Sequence, residues 1–183
     1  MLEVARQDTS HAAAIAFLDF EASGLGPFSW PIEVGWALLG GEVRTRLIRP
    51  HASWADADWD KRAERLHGLS RARLEAEGEN PRAVCQALDA DLAGATVLSD
   101  APEFDGTWLG VLYKAAGRTP PFRISGLADL LLVRYGRHRL GRAVEEASET
   151  VPATHRAGQD VRHLMAIYRL CTADGGQSEE GGI

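Results

Sequence analysis

Cysteine is scarce in this 183-residue chain. Its two copies, Cys85 and Cys171, stand far apart, without the spacing of a zinc site or a disulfide framework. They read as two buried thiols in a reducing compartment, so a cytoplasmic location is expected. Long apolar runs are missing too. None approaches the roughly 20 residues that a helix needs to cross a bilayer, so no membrane partner is expected. The first residues carry Glu3 and Asp8 and no extended apolar core, so they do not read as a secretory signal. Basic charge is in deficit: 20 Lys and Arg against 26 Asp and Glu give a net charge of -6. That argues against a protein that coats long duplexes by charge alone. Neither an internal repeat nor a dividing linker is visible. Residues 1–11, polar and without period, read as a flexible arm, and residues 174–183 have the composition of disorder. One domain over residues 12–173 remains, long enough for a proper core.

The chain is organised around Ala14-Ile15-Ala16-Phe17-Leu18-Asp19-Phe20-Glu21-Ala22-Ser23-Gly24-Leu25. An apolar run ends in two acids one residue apart and then a glycine turn. Side chains alternate along a strand, so Asp19 and Glu21 share one face while Phe20 points the other way. Two carboxylates side by side at the end of a buried strand cost free energy unless something pairs with them, and a divalent cation is the simplest partner. Other acid-x-acid patterns occur at Asp56-x-Asp58-x-Asp60, Glu75-x-Glu77-x-Glu79 and Asp89-x-Asp91. They lie in polar segments and read as solvated charge. The first of them lacks the Gly and Glu that a calcium loop needs, having Lys61 and His67 at those positions.

Periodicity and turn signals predict strands at 15–21, 32–39 and 42–48, the last two joined by Gly40-Gly41. They also predict a partly helical segment at 54–65 and a turn at His67-Gly68-Leu69-Ser70. Helices are expected at 71–76, capped by Ser70, and at 81–93, capped by Asn80 with Pro81 first. A strand at 95–98, a helix from Pro102 to Gly117, a strand at 122–124 and helices at 127–135, 140–149 and 157–171 follow. The order predicts an α/β fold: a mixed five-stranded sheet, three strands antiparallel and two parallel, flanked by helices. Arginines crowd residues 62–73 and 134–142, either as solvated helix surface or as a phosphate track.

Two more segments bear on the acid pair. Ser99-Asp100-Ala101-Pro102-Glu103-Phe104-Asp105 runs from a strand into a helix whose first turn holds Asp105, a position that also suits a capping acid. His155-Arg156-Ala157-Gly158-Gln159-Asp160 heads the last long helix. His155 fits the lead-in turn after Pro152. Asp160 is either a surface first-turn acid or an inward acid that needs a partner, being followed by the apolar stripe Leu164, Ile167 and Cys171.

In order along the chain, these segments resemble the DEDDh family of 3′–5′ exonucleases, the ribonuclease-H-like group of proofreading exonuclease subunits, oligoribonuclease and ribonuclease T. Asp19-Phe20-Glu21-Ala22-Ser23-Gly24-Leu25 matches the first motif, Ile32-Glu33-Val34-Gly35 the strand after it, and His67-Gly68-Leu69-Ser70 the family turn. Phe104-Asp105 matches the second motif, and His155 with Asp160 the third. The resemblance implies two-metal phosphodiester hydrolysis on single-stranded nucleic acid 3′ ends or short oligonucleotides. It assigns two divalent cations, Mg²⁺ or Mn²⁺, to Asp19, Glu21, Asp105 and Asp160, with Asp19 bridging and Asp105 on the second ion. His155 takes the role of general base. A set of oxygen ligands fits those ions better than zinc.

Ala22, Leu25, Phe28, Trp30, His67, Asp100 and Phe104 form the expected substrate surface. Leu25 takes the place of the family's wedge. Phe28 and Trp30 either stack on a base or plug the sheet end, and His67 is either a substrate contact or a buried hydrogen-bonding residue. The chain departs from the family at Ala22, where Thr or Ser is usual, and at Ser99-Asp100-Ala101, where His-Asn-Ala is usual. Asp100 thereby adds negative charge beside the expected phosphate. A fold that binds nucleic acid or a protein partner with weak catalysis is the competing reading. A homodimer is compatible with the sequence.

Overall fold

A computed structural model describes residues 13–55 and 58–173. The arm at 1–11, the tail at 174–183 and Asp56 lie outside the described residues. The elements are β1 (Ile15–Ala22), β2 (Pro31–Leu38), β3 (Arg44–Leu47), α1 (Lys61–His67), α2 (Arg71–Glu77), α3 (Pro81–Leu92), β4 (Thr96–Ser99), α4 (Pro102–Ala115), β5 (Ile124–Gly126), α5 (Leu127–Thr150) and α6 (Ala157–Thr172).

The strands form one mixed sheet in the order β3-β2-β1-β4-β5. β1 pairs antiparallel with β2, β2 antiparallel with β3, and β1–β4 and β4–β5 are parallel. The predicted α/β sheet of three antiparallel and two parallel strands is therefore present. Strand β1 is central because Ala16, Phe17 and Leu18 are fully buried, which only a strand covered on both faces allows. Its even-numbered residues Ala16, Leu18, Phe20 and Ala22 pack with Val84, Leu88, Leu109 and Leu112 of α3 and α4. Phe17 packs on the opposite face with Leu131 of α5 and with Val161, Leu164 and Met165 of α6. Two-residue alternation then carries Asp19 and Glu21 to the α6 side.

Several boundaries differ from the sequence expectation. Among the described residues of 54–65 the α-helical part is Lys61–Arg65, in α1, where Asp60 accepts from the Arg62 N–H as N-cap and Gly68 (φ 68°) ends the helix. β5 begins two residues late. The expected gap between helices at 127–135 and 140–149 narrows to a single break at Gly136 (φ 77°, ψ 164°), a conformation that glycine adopts without a Cβ clash.

The N-terminus of α6 lies against β2 at Gly35. A Cβ there would come 2.4 Å from the Ala157 carbonyl oxygen, so glycine is needed for this approach. Gly35→Ala is expected to cost at least about 1–3 kcal/mol of stability, the usual penalty for overpacking a rigid contact. Urea unfolding monitored by tryptophan fluorescence measures it, and an unchanged midpoint would disprove the close docking of α6 on β2.

Candidate active site

Parallel pairing between β1 and β4 ends at Phe17 and Leu98. β1 continues past that level, and its Phe20 N–H donates to Asp105 Oδ1 (3.2 Å) from the first turn of α4. Asp105 thus joins α4 to β1 rather than capping its own helix, whose N-terminus has no side-chain cap. It is 1% exposed. On the other side, register between β1 and β2 slips between Glu21 and Ala22. Such an irregularity kinks the strand where it leaves the sheet.

The third segment is fixed by Glu33, directly opposite Glu21 in the β1–β2 ladder. Glu33 is 3% exposed. Its two carboxylate oxygens accept from Arg156 Nε (3.0 Å) and Nη2 (2.7 Å), and Oε2 also accepts from the Ala157 N–H (3.1 Å). A carboxylate at a helix N-terminus with a bidentate arginine is a strong, directional anchor. Just before it, His155 takes φ 56°, rare for a residue with a Cβ. Asp160 Oδ1 accepts from the Thr154 N–H (2.8 Å), which closes the turn that presents His155.

The outcome is a shell of acids on one face at the end of β1. Ligand atoms of Glu21, His155 and Asp160 all lie within 4.8 Å of one another, and so do those of Asp19, Asp100 and Asp105. Asp19 feels both groups. Burial raises its pKa well above the usual carboxylate range, and Asp105, Glu21, Asp160 and Asp100 push it further. Burial and Asp160 raise Glu21 to about 8, against a smaller downward pull from Arg156. Burial raises Asp105 to about 7. Ser99 lies near enough to favour the charged form of Asp105, but its hydroxyl falls short of hydrogen-bond geometry. Asp19 Oδ2 and Asp105 Oδ2 are therefore buried without a hydrogen-bond partner. Unpaired buried carboxylate oxygens are costly, and a divalent cation relieves the cost for both. The donors are oxygens with one imidazole, a set that fits Mg²⁺ or Mn²⁺.

Beside the acids lies a cavity of about 170 Å³ lined by Phe20, Ala22, Leu25, Leu66, His67 and Trp108 among others, with Glu21 and His155 at its edge. Leu25 (73% exposed) and Leu66 (62%) form an apolar rim. Phe104 tilts against Trp108 (5.7 Å) next to it. His67 Nδ1 accepts from the Leu69 N–H (3.0 Å), and burial lowers its pKa. Its Nε2 is buried without a hydrogen-bond partner. Leu66 and Trp108 escape a motif search, although Ala63, Leu66 and His67 share one helical face at i, i+3 and i+4 spacing.

The base-stacking expectation for Trp30 needs correction, and its alternative, a buried plug, holds. Trp30 is fully buried, stacked on Trp54 (5.3 Å, 15°), with its indole N–H donating to the Ala55 carbonyl (3.3 Å), so it does not reach a base. The loop folds back because the Trp30 N–H and carbonyl pair with Ser23, which turns the indole into the core. Phe28 is 75% exposed but lines a different groove, with His51, Trp54 and Lys114. In the arginine-rich stretch at 62–73, Arg71 and Arg73 form i,i+4 ion pairs with Glu75 and Glu77, which favours helix surface over a phosphate track.

The chain matches no known family profile. It is similar in structure to E. coli exonuclease I bound to a dT13 oligonucleotide: TM-score 0.69 at 16% identity, over 88% of this chain and 41% of that one. The zinc-bound form of the exonuclease I–single-stranded DNA complex gives a TM-score of 0.64 at 16% identity over 86% of this chain and 40% of that one. The fold is therefore the ribonuclease-H-like fold of exonuclease I, and the chain spans about two fifths of that enzyme's length. A curated sequence, the kynurenine formamidase of Maricaulis maris, is 35% identical over 72 residues, which is 39% of this chain and 31% of that protein. So short a match carries neither fold nor activity across. No helix among the described residues is long and apolar enough to cross a membrane.

The carboxylate pKa values set a pH dependence. Glu21 moves from 4.5 to about 8 and Asp105 from 3.8 to about 7, so between about pH 4.5 and 8 the folded chain binds more protons than the unfolded chain. Stability then falls as pH rises. In EDTA, the thermal midpoint is expected to decline from pH 5 to 8. Saturating Mn²⁺ should remove most of the decline by taking the protons' place. A metal-free midpoint that stays level or climbs over this range would contradict the arrangement.

Proposed function

We propose that this chain is a divalent-cation-dependent 3′–5′ exonuclease of the DEDDh type, acting on single-stranded nucleic acid. The observation that carries the proposal is the convergence of Asp19, Glu21, Asp105, Asp160 and His155, drawn from three separate segments, on one end of the central strand. The fold shared with exonuclease I, a structure solved with single-stranded DNA, supports it.

In this reading Asp19, Glu21, Asp105 and Asp160 would hold the divalent cations, Mg²⁺ or Mn²⁺, which when bound would supply charge neutralisation at the scissile phosphate and a more acidic attacking water. His155 accepts that water's proton, since the turn leaves it exposed beside Glu21 and Asp160. Water oxygen bonds to phosphorus, the bond to the upstream 3′ oxygen breaks, and a 5′-mononucleotide leaves. Leu25 and Leu66 hold the terminal base at the mouth of the cavity. The Glu33–Arg156 clamp positions His155. Such chemistry on free single strands suits a cytoplasmic enzyme.

Purified protein is expected to shorten 3′-ended single-stranded DNA with Mn²⁺ or Mg²⁺, to stop on EDTA addition, and to leave a 3′-blocked strand intact. His155→Ala should lower turnover about 10²–10⁴-fold, the span of general-base catalysis, while Mn²⁺ binding persists. Asp19→Ala should lose both. Wild-type turnover by Asp19→Ala, or cation binding with no cleavage of DNA or RNA of any length, would overturn the assignment.

A further inference from the structure

Asp100 is not one of the residues that the motif pattern assigns to a cation, and its surroundings say more than that pattern does. It lies in the two-residue link between β4 and α4, exposed, and has no ion-pair or hydrogen-bond partner among the described residues. A carboxylate oxygen of Asp100 is within 4.8 Å of ligand atoms of Asp19 and Asp105. Those two neighbours each keep a buried Oδ2 without a hydrogen-bond partner, and Asp105 is 1% exposed. Two orphaned buried oxygens and one unpaired exposed carboxylate thus converge from β1, α4 and the link between β4 and α4.

We propose that Asp100 is a direct cation ligand, and that Asp19, Asp100 and Asp105 form a three-carboxylate position able to hold the second divalent cation before nucleic acid arrives. The proposal rests on the reading of this end of the sheet as a divalent-cation centre. A cation held by a single protein carboxylate depends on waters and substrate phosphate for the rest of its shell. Three carboxylates raise the charge and the number of protein ligands together, and ligand charge is what tunes affinity for hard cations. The position closes only partway, because Asp100 comes from the solvent side and leaves room for a phosphate oxygen. In this arrangement the extra acid is neutralised by the cation before it can repel the nucleic acid backbone.

Mn²⁺ titration of the full chain without nucleic acid, followed by calorimetry and by the electron paramagnetic resonance signal of free Mn²⁺, tests this directly. Wild type is expected to bind two ions. Asp100→Asn should keep one at wild-type affinity and weaken the other by about tenfold or more, with its metal-free thermal midpoint unchanged or raised. Asp105→Asn should weaken the same ion. Asp100→Asn that binds both ions as wild type does, and instead only tightens metal-free binding of a short oligonucleotide, would overturn the proposal and leave Asp100 as a charge that repels phosphate. Two ions bound by wild type and one weakened in Asp100→Asn support it even if no strand is cleaved, in which case the nuclease reading alone fails. Wild type that binds no Mn²⁺ removes the cation centre and this inference with it.

Discussion

Mutual repulsion among carboxylates at the end of β1 is the constraint that the rest of the structure answers. Asp19 faces Asp105, Glu21, Asp160 and Asp100, and every one of them raises the free energy of its charged form. In a buried setting such a group either takes up protons or takes up a cation. Metal-free, the folded chain holds protons that the unfolded chain releases near neutral pH, so the site draws on stability contributed elsewhere. That contribution comes from the two apolar layers against the sheet, one with α3 and α4 and one with α5 and α6. The central strand is buried on both faces just before it delivers its acids, so the most costly side chains sit on the most firmly held backbone.

Geometry at the third segment depends on one further acid, which serves a different purpose. Glu33 is buried like Asp105 but fully paired, with Arg156 and the amide of Ala157. Two neighbouring glutamates on adjacent strands, Glu21 and Glu33, therefore have opposite surroundings: one among acids, one on a guanidinium and a helix N-terminus. The second fixes the first end of α6, and with it Asp160 and the turn of His155. Gly35 makes the same docking sterically open. A left-handed backbone at His155 costs of order 1–3 kcal/mol, and it persists because anchors on either side, Asp160 on Thr154 and Glu33 on Arg156, over-determine the turn.

How much of this was legible in the sequence follows from how each residue works. Asp19 and Glu21 were readable because strand alternation is local, and Asp105, His155 and Asp160 because short motifs mark them. The sheet followed from the order of apolar runs. What stayed hidden depends on register and docking. Glu33 sits in a recognised strand motif, yet its partner Arg156 lies 123 residues away and meets it only once α6 is in place. Trp30 sits in a Pro- and Gly-rich loop where base stacking and a plug were both open, and a pair of hydrogen bonds to Ser23 turns it inward. Leu66 and Trp108 reach the cavity from two helices that the sequence predicts only as separate segments.

The departures from the family pattern take on physical meaning in this setting. Ala22 lacks the hydroxyl usual at its position, and its methyl lines the cavity beside Phe20 and Trp108. The wall there combines apolar surface from Phe20, Ala22, Leu25, Leu66 and Trp108 with Glu21 and His155. Asp100, the other departure, has a carboxylate oxygen within 4.8 Å of ligand atoms of Asp19 and Asp105, so on the proposed reading it would add a ligand where it would otherwise repel phosphate. On the proposed reading both changes would move in one direction, towards fewer polar contacts to a nucleotide and more ligation for a cation. Recognition would then rest on the metal-held phosphate, the part that all single strands share.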